Sequence, residues 1–114
     1  MYKPISPRAH GVLDYATVGA TLLAPRLLGF PTRAARASYA LGGGYAALSA
    51  LTDYPLSVRR VVPFRAHGAA EGLVGLALPV LPRVLGFSRH RGARGFFLGL
   101  TALTAVVAAL TDWE

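Results

Sequence analysis

The sequence predicts an all-α fold, a four-helix transmembrane bundle made of two tandem helical-hairpin repeats with pseudo-twofold symmetry. Hydrophobic residues make up 54% of the 114 residues and charged residues only 15%, whereas about a quarter of a soluble domain is charged. The apolar residues fall into four long stretches, and the two halves of the chain resemble each other. Together these observations favour one small membrane domain over residues 1–114.

An internal repeat divides the chain. The segment 8–30 matches the segment 65–87 without a gap: Arg-Ala-His-Gly at 8–11 returns at 65–68, and Leu-Gly-Phe at 28–30 returns at 85–87. The run Leu-Thr-Asp-Tyr at 51–54 returns as Leu-Thr-Asp-Trp at 110–113, with a slightly larger offset. The sequence therefore predicts a duplication, with repeat 1 at 8–54 and repeat 2 at 65–113.

Four apolar segments are the predicted membrane helices. They cover 11–25, 37–52, 68–82 and 95–111, and the second and fourth contain no charged residue. A spanning helix needs about 20 apolar residues, with about 17 as the lower limit, so the predicted helices are short. Small residues are frequent in them and allow close helix packing in lipid.

Glycine and proline predict where the helices end or bend. Gly29-Phe30 and Gly86-Phe87 follow the first and third segments. Glycine adopts the left-handed conformation common after a helix, so both pairs are predicted to form equivalent turns. Pro79 lies inside the third segment and predicts a kink near its end.

Basic residues predict the orientation in the membrane. The loops 26–36 and 83–94 contain 7 of the 12 basic residues, and the termini with the central loop contain the other 5. Cytoplasmic loops carry the excess of Lys and Arg. We therefore expect both loops in the cytoplasm and both termini outside.

Two pairs of ionisable residues are the candidate metal ligands. His10 and Asp14 are four residues apart, and so are His67 and Glu71 at the repeated positions. Residues at this spacing share one helix face. If the two faces meet across the pseudo-twofold axis, imidazole and carboxylate groups suit zinc, iron or manganese.

Other interpretations of these pairs stay open. The histidines are alternative axial ligands for haem, or members of a proton relay. The interpretation favoured by the sequence is structural, because carboxylates stabilise helix N-termini and can pair with the histidines or with Arg8 and Arg65. His90 lies among arginines and is expected to be a solvated loop residue.

Several classes of protein are disfavoured. The absence of cysteine excludes disulfides, iron–sulfur clusters and thiol nucleophiles. No phosphate-binding glycine loop or activated serine is present, so no enzyme is predicted. The arginines lie in short clusters between apolar runs rather than along one helix face, which argues against a nucleic-acid partner.

The segments 24–30 and 81–87, which contain Pro-Arg followed by Leu-Gly-Phe, resemble the signature of SPW-repeat membrane proteins. The run at 51–56 is also similar to members of that group. The resemblance implies two-helix repeats in a bacterial membrane and no established reaction.

The function predicted from the sequence is that of a small non-enzymatic protein of the bacterial inner membrane, a structural or accessory subunit of a larger complex. Its expected partners are the lipid bilayer and other membrane subunits or further copies of itself, and no cofactor is specified. The alternatives are a metal- or haem-binding protein that uses the two His–carboxylate pairs, or a small proton-linked transporter.

Overall fold

The chain folds into helices joined by short connections. The structure is a computed structural model that describes residues 3–113. All secondary-structure elements within these residues are helices. The prediction of an all-α chain is confirmed. Within the described residues there are five helices rather than the four predicted: α1 (Pro7–Leu27), α2 (Thr32–Leu51), α3 (Phe64–Ala77), α4 (Leu81–Val84) and α5 (Arg91–Leu110).

Helix α1 is longer than the predicted segment 11–25, and local signals account for its earlier start. The Ser6 hydroxyl accepts a hydrogen bond from the Ala9 amide, and Pro7 occupies the first helical position. Both features are favoured at a helix start. The helix is followed by Gly29, whose φ of 62° is left-handed. Gly86 has a φ of 79°, so the prediction of two equivalent glycine turns is confirmed.

The predicted third helix, 68–82, is two helices in the structure. Helix α3 begins earlier, at Phe64, and ends at Ala77, and α4 begins at Leu81. Pro79 lies between them. Proline has no amide hydrogen and clashes with the carbonyl one turn back, so the predicted kink is a complete interruption.

The helix boundaries follow the repeat seen in the sequence. Helix α1 begins at Pro7 and ends at Leu27, and the α3–α4 unit begins and ends at the repeat-equivalent positions, Phe64 and Val84. Helices α2 and α5 both contain 20 residues and follow the slightly larger offset of the second match. The additional residues of the second half therefore lie in the connection between α4 and α5.

Short backbone pairings join the two halves at one end of the molecule, here called the termini end. The chain before α1 pairs with the chain after α5, because Ile5 forms a parallel bridge with Thr111. The chain before α3 pairs with the chain after α2 in the same way, through Val62 and Thr52. The termini end therefore contains the starts of α1 and α3 and the ends of α2 and α5.

At the opposite end lies an apolar core. Helix α1 packs against α2, and α3 and α4 pack against α5. The buried core residues come from both halves of the chain: Ala34, Leu78, Phe87, Ala93, Phe97 and Leu100.

The distribution of polar and apolar side chains is unusual. Nine polar or charged residues are 0–5% exposed, while 17 large apolar residues are exposed, among them Leu27 and Leu76 at 77%. Soluble domains bury ionisable groups rarely and seldom expose extended apolar surface. Many polar side chains are thus buried, and many large apolar side chains are exposed.

Of the helices in residues 3–113, only α5 is long and apolar enough to cross a membrane by length and composition. Only 22% of its apolar stretch is buried within the molecule. Helix α1 contains three charged residues, α2 begins with two arginines in its first turns, and α3 has only 14 residues. A single such helix is weak support for a membrane location, so the four membrane crossings stay a prediction.

Candidate metal centre

The structure brings the four predicted ligands together at the termini end. His10 and Asp14 share one face of α1, and His67 and Glu71 share one face of α3. One ligand atom from each residue can be chosen so that all four lie within 4.8 Å of one another. We call these four residues the central cluster. All four are buried, with exposures of 0–5%.

Each imidazole contacts both carboxylates of the central cluster. The Nε2 atom of His10 lies 3.3 Å from Asp14 Oδ1 and 3.2 Å from both Glu71 carboxylate oxygens. The Nε2 atom of His67 lies 2.9 Å from Asp14 Oδ2 and 2.8 Å from Glu71 Oε1. Both carboxylates are thus shared between α1 and α3. The cluster forms between the two halves and is incomplete in either alone.

Two threonines determine the role of the other ring nitrogens. The Nδ1 atom of His10 lies 2.9 Å from the Thr111 hydroxyl, and that of His67 lies 2.6 Å from the Thr52 hydroxyl. Each hydroxyl already donates its single hydrogen to the backbone carbonyl four residues earlier. It must therefore accept from the imidazole, so Nδ1 carries the proton and Nε2 is left to face the carboxylates.

The threonine contacts cross between the two halves. His10 of the first half contacts Thr111 of the second, and His67 of the second half contacts Thr52 of the first. The parallel bridges at the termini end hold both threonines in place. The positions of the imidazoles thus depend on the same pairings that join the halves.

Aromatic side chains cover the central cluster on the termini end. The Trp113 ring lies 4.9 Å from the His10 ring between centroids, and the Tyr54 ring lies 5.5 Å from the His67 ring. Phe64 packs between Tyr54 and Trp113. These apolar rings limit the access of bulk water to the ionisable groups and lower the local dielectric constant.

Tyr54 also belongs to the polar network. Its hydroxyl donates a hydrogen bond to Asp14 Oδ2 at 3.1 Å. Burial raises the pKa of Tyr54 above its ordinary value, because the phenolate would lose its hydration. The phenol therefore remains a donor and restrains one carboxylate oxygen of the cluster.

The favoured structural interpretation paired the carboxylates with their own histidines or with Arg8 and Arg65. Each carboxylate does contact the histidine of its own helix, and each also contacts the histidine of the other helix. His90 lies outside the cluster, as expected. Its Nδ1 atom accepts a hydrogen bond from the Ala93 amide at 3.0 Å, so it caps the start of α5, a role that its position before an apolar segment could have indicated.

The groups that support the cluster have no role in the sequence-based prediction. Thr52 and Thr111 hold the imidazoles, and Tyr54 and Trp113 cover them. All four occur in the repeated run Leu-Thr-Asp-Tyr/Trp, which the sequence marks only as a repeat. A threonine repeated in both halves, at nearly the same offset as the histidines, was the signal that could have found them.

No family model, curated protein or solved structure matches the chain. The resemblance to SPW-repeat proteins accordingly stays a prediction.

Proposed function

We propose that the protein binds one divalent first-row transition-metal ion in its central cluster, with zinc, iron and manganese as the candidates. The observation that carries the proposal is the convergence of two imidazole nitrogens and two carboxylates from both halves of the chain within 4.8 Å. This donor set suits these three metals. All four groups are buried.

The distances in the central cluster support an ion of this size. A zinc ion binds nitrogen and oxygen at about 2.0–2.2 Å, so tetrahedral ligands lie about 3.3–3.6 Å apart. The nitrogen–oxygen distances in the cluster are 2.8–3.3 Å. One atom from each of the four residues can be chosen within 4.8 Å of the others, so binding of an ion requires side-chain adjustments that lengthen the short separations and shorten the long ones.

Electrostatics favours a cation at this position. If both Nε2 atoms are unprotonated, two carboxylates and two nitrogen lone pairs point at one buried space and repel one another, and the aromatic cover keeps out the water that would screen them. A divalent ion converts these repulsions into bonds. The threonine contacts are of the kind that orient metal-bound histidines in other proteins, where the second ring nitrogen donates to a fixed acceptor.

The geometry supports an ion better than haem. Two axial imidazoles require the plane between them for the macrocycle, but both carboxylates of the cluster lie there. Protonation of both imidazoles at Nε2 is the competing account of the contacts, and it predicts that no metal binds.

We further propose that the chain crosses the membrane four times, as two duplicated hairpins related by a pseudo-twofold axis. Two observations support the symmetry: the two backbone bridges, Ile5–Thr111 and Thr52–Val62, join equivalent parts of the repeats, and the helices begin and end at repeat-equivalent positions. Helices of 20–21 residues are about 30 Å long, which matches the hydrocarbon core of a bilayer. The large exposed apolar surface supports contact with lipid.

A second candidate function is that of an accessory subunit of a membrane complex. It is supported by exposed leucines on α3, where Leu73 and Leu76 are 71% and 77% exposed. Lipid and a partner helix satisfy such a surface equally well, so this function is compatible with a metal centre and is tested by what copurifies from native membranes.

The test of metal binding uses the full-length protein, stripped of metal and dialysed against Zn²⁺, Mn²⁺ or Fe²⁺ in separate experiments. We expect one ion per chain by elemental analysis. The variant Asp14→Asn with Glu71→Gln keeps the shapes of both side chains but removes the charges, so it should lose the ion while its circular dichroism is unchanged.

The control is His90→Asn, which removes a histidine outside the cluster and leaves an N-capping residue in place. It should bind the ion like the native chain. Absence of bound metal in the native protein, or equal binding by the carboxamide variant, contradicts the proposal. If the double variant does not fold, His67→Gln alone tests the same point.

A further inference from the structure

A cavity lies beside the central cluster, in the cleft between α2 and α3 and extending to α4. Its volume is about 460 Å³, within the range of small-molecule sites, about 300–1,000 Å³. Its wall is apolar and rich in small residues of α2, such as Ala37, Ala40 and Gly44. Two polar side chains, Tyr45 and Glu71, line it as well.

The polar side chains connect this cavity to the central cluster. Tyr45 and Glu71 also line a second cavity of about 20 Å³, together with Asp14. The second cavity is large enough for about one water molecule. The large cavity therefore has an apolar body that reaches Leu81 and Leu85 of the opposite end, and a polar end at the cluster.

The large cavity has no equally large counterpart in the symmetry-related cleft between α5 and α1. In the aligned repeats, Ala70 corresponds to Leu13 and Gly44 corresponds to Leu103. Leu13 and Leu103 line the small cavity, which lies between α1 and α5 at the position that corresponds to the large one. Two leucine side chains thus narrow one cleft, and their replacement by alanine and glycine opens the other. The smaller residues of the wide cleft do not improve packing, since a wider cleft loses van der Waals contacts.

We propose that the cleft between α2 and α3 binds a neutral single-chain amphiphile, with its hydrocarbon chain along the apolar wall and a hydroxyl-bearing head at Tyr45 and Glu71. The apolar wall suits a hydrocarbon chain, and the polar end offers a carboxylate acceptor and a phenol. A neutral donor group matches both, whereas an anionic head would be repelled by Glu71. The position of the head next to a bound ion rests on the proposed function, but occupancy of the cleft does not.

The test uses the full-length protein in lipid nanodiscs and a hexadecanol derivative with a photoreactive diazirine in its chain. We expect labelling on α2 and α3 that saturates and is competed by unmodified hexadecanol. The variant Gly44→Leu with Ala70→Leu copies the residues of the narrow counterpart cleft, so it should fold and lose the saturable labelling. A Cβ at Gly44 meets no atom within 4 Å, which leaves room for the new side chain.

The matched control is Gly43→Leu, at a neighbouring position of α2 that also has free space but does not line the cavity. It should label like the native chain. We call the variant Gly44→Leu with Ala70→Leu the filled variant. Labelling of the native chain that does not saturate overturns the proposal. Labelling that persists in the filled variant, with or without a change of its oligomeric state, also overturns it. If the filled variant does not fold, Ala70→Leu alone is compared with Gly43→Leu.

Metal content of the same samples separates the two proposals. The filled variant keeps all four cluster residues and should retain its ion. Saturable labelling without bound metal means that the metal proposal fails and the amphiphile site stands. Bound metal without saturable labelling means that the amphiphile proposal fails and the metal site stands.

Discussion

Each histidine of the central cluster uses its two ring nitrogens for different tasks. Nδ1 donates to a threonine hydroxyl, and Nε2 faces the carboxylates. The threonine can only accept, because its own hydrogen is donated to the helix backbone. This division excludes a neutral imidazole with its proton on Nε2, and a donating Nδ1 is what a metal-bound histidine requires of its second ring nitrogen.

The variant Thr52→Val with Thr111→Val therefore tests the support of the imidazoles. Valine has the shape of threonine but accepts no hydrogen bond, so both Nδ1 donors lose their partners. We expect metal affinity to fall by about 10–100-fold, measured by competition with a chelator of known affinity. Thr52→Ser with Thr111→Ser keeps both hydroxyls and should bind nearly as well as the native chain. Equal affinities for valine and serine variants would show that the threonines do not orient the site.

At the scale of the helices, glycines at repeated positions allow the aromatic cover to approach. Gly11 on α1 lies beneath Tyr54, and Gly68 on α3 lies beneath Trp113. A Cβ added at Gly68 would lie 2.7 Å from the indole ring, too close for an unmoved neighbour. The aromatic residue of each pair covers the imidazole of the other half. The position of the aromatic cover over the histidines thus depends on the absence of a side chain at these glycines.

We predict that Gly68→Ala displaces Trp113 from His10 and lowers the free energy of unfolding by about 1–3 kcal/mol, as overpacking does. Trp113 is the only tryptophan, so a shift of its emission reports the displacement directly. Gly72→Ala, one turn further along α3, meets no atom within 4 Å and is the matched control. Identical emission spectra of the two variants would contradict the close approach.

At the scale of the whole molecule, the two halves are joined by reciprocal contacts. The backbone bridges, the threonine–histidine hydrogen bonds and the shared carboxylates all cross from one half to the other. Polar groups are concentrated where these contacts meet, and large apolar side chains remain on the outside. Such an arrangement is stable where the surroundings are apolar, because polar groups then gain most from one another.

The proposed topology predicts the accessibility of single cysteines, which can be introduced freely because the chain has none. Arg26→Cys and Arg89→Cys lie at the two hairpin connections, and Arg59→Cys lies in the connection between α2 and α3. An impermeant maleimide added to intact cells should label only the last, and all three after permeabilisation. Labelling of both hairpin positions in intact cells would mean that the orientation is opposite to the one proposed. Labelling of only one of these two hairpin positions would exclude the symmetric hairpins.

The sequence by itself determined the helical class, the two glycine turns and the identity of the four clustered residues. These depend on local chemistry: composition, φ preferences and the i, i+4 spacing of a helix. It also contained the repeat that the helix boundaries follow. The interruption at Pro79 was predicted as a kink, because the sequence does not say whether neighbouring contacts preserve a helix across a proline.

Only the tertiary structure decided that the two His–carboxylate pairs face each other rather than Arg8 and Arg65. Local spacing places two side chains on one face, but the direction of that face depends on which helices pack together. The threonine partners, 101 and 15 residues away from their histidines, and the cavity opened by Gly44 and Ala70 depend on contacts between the halves. Such contacts arise from packing of the whole chain, and no local pattern encodes them.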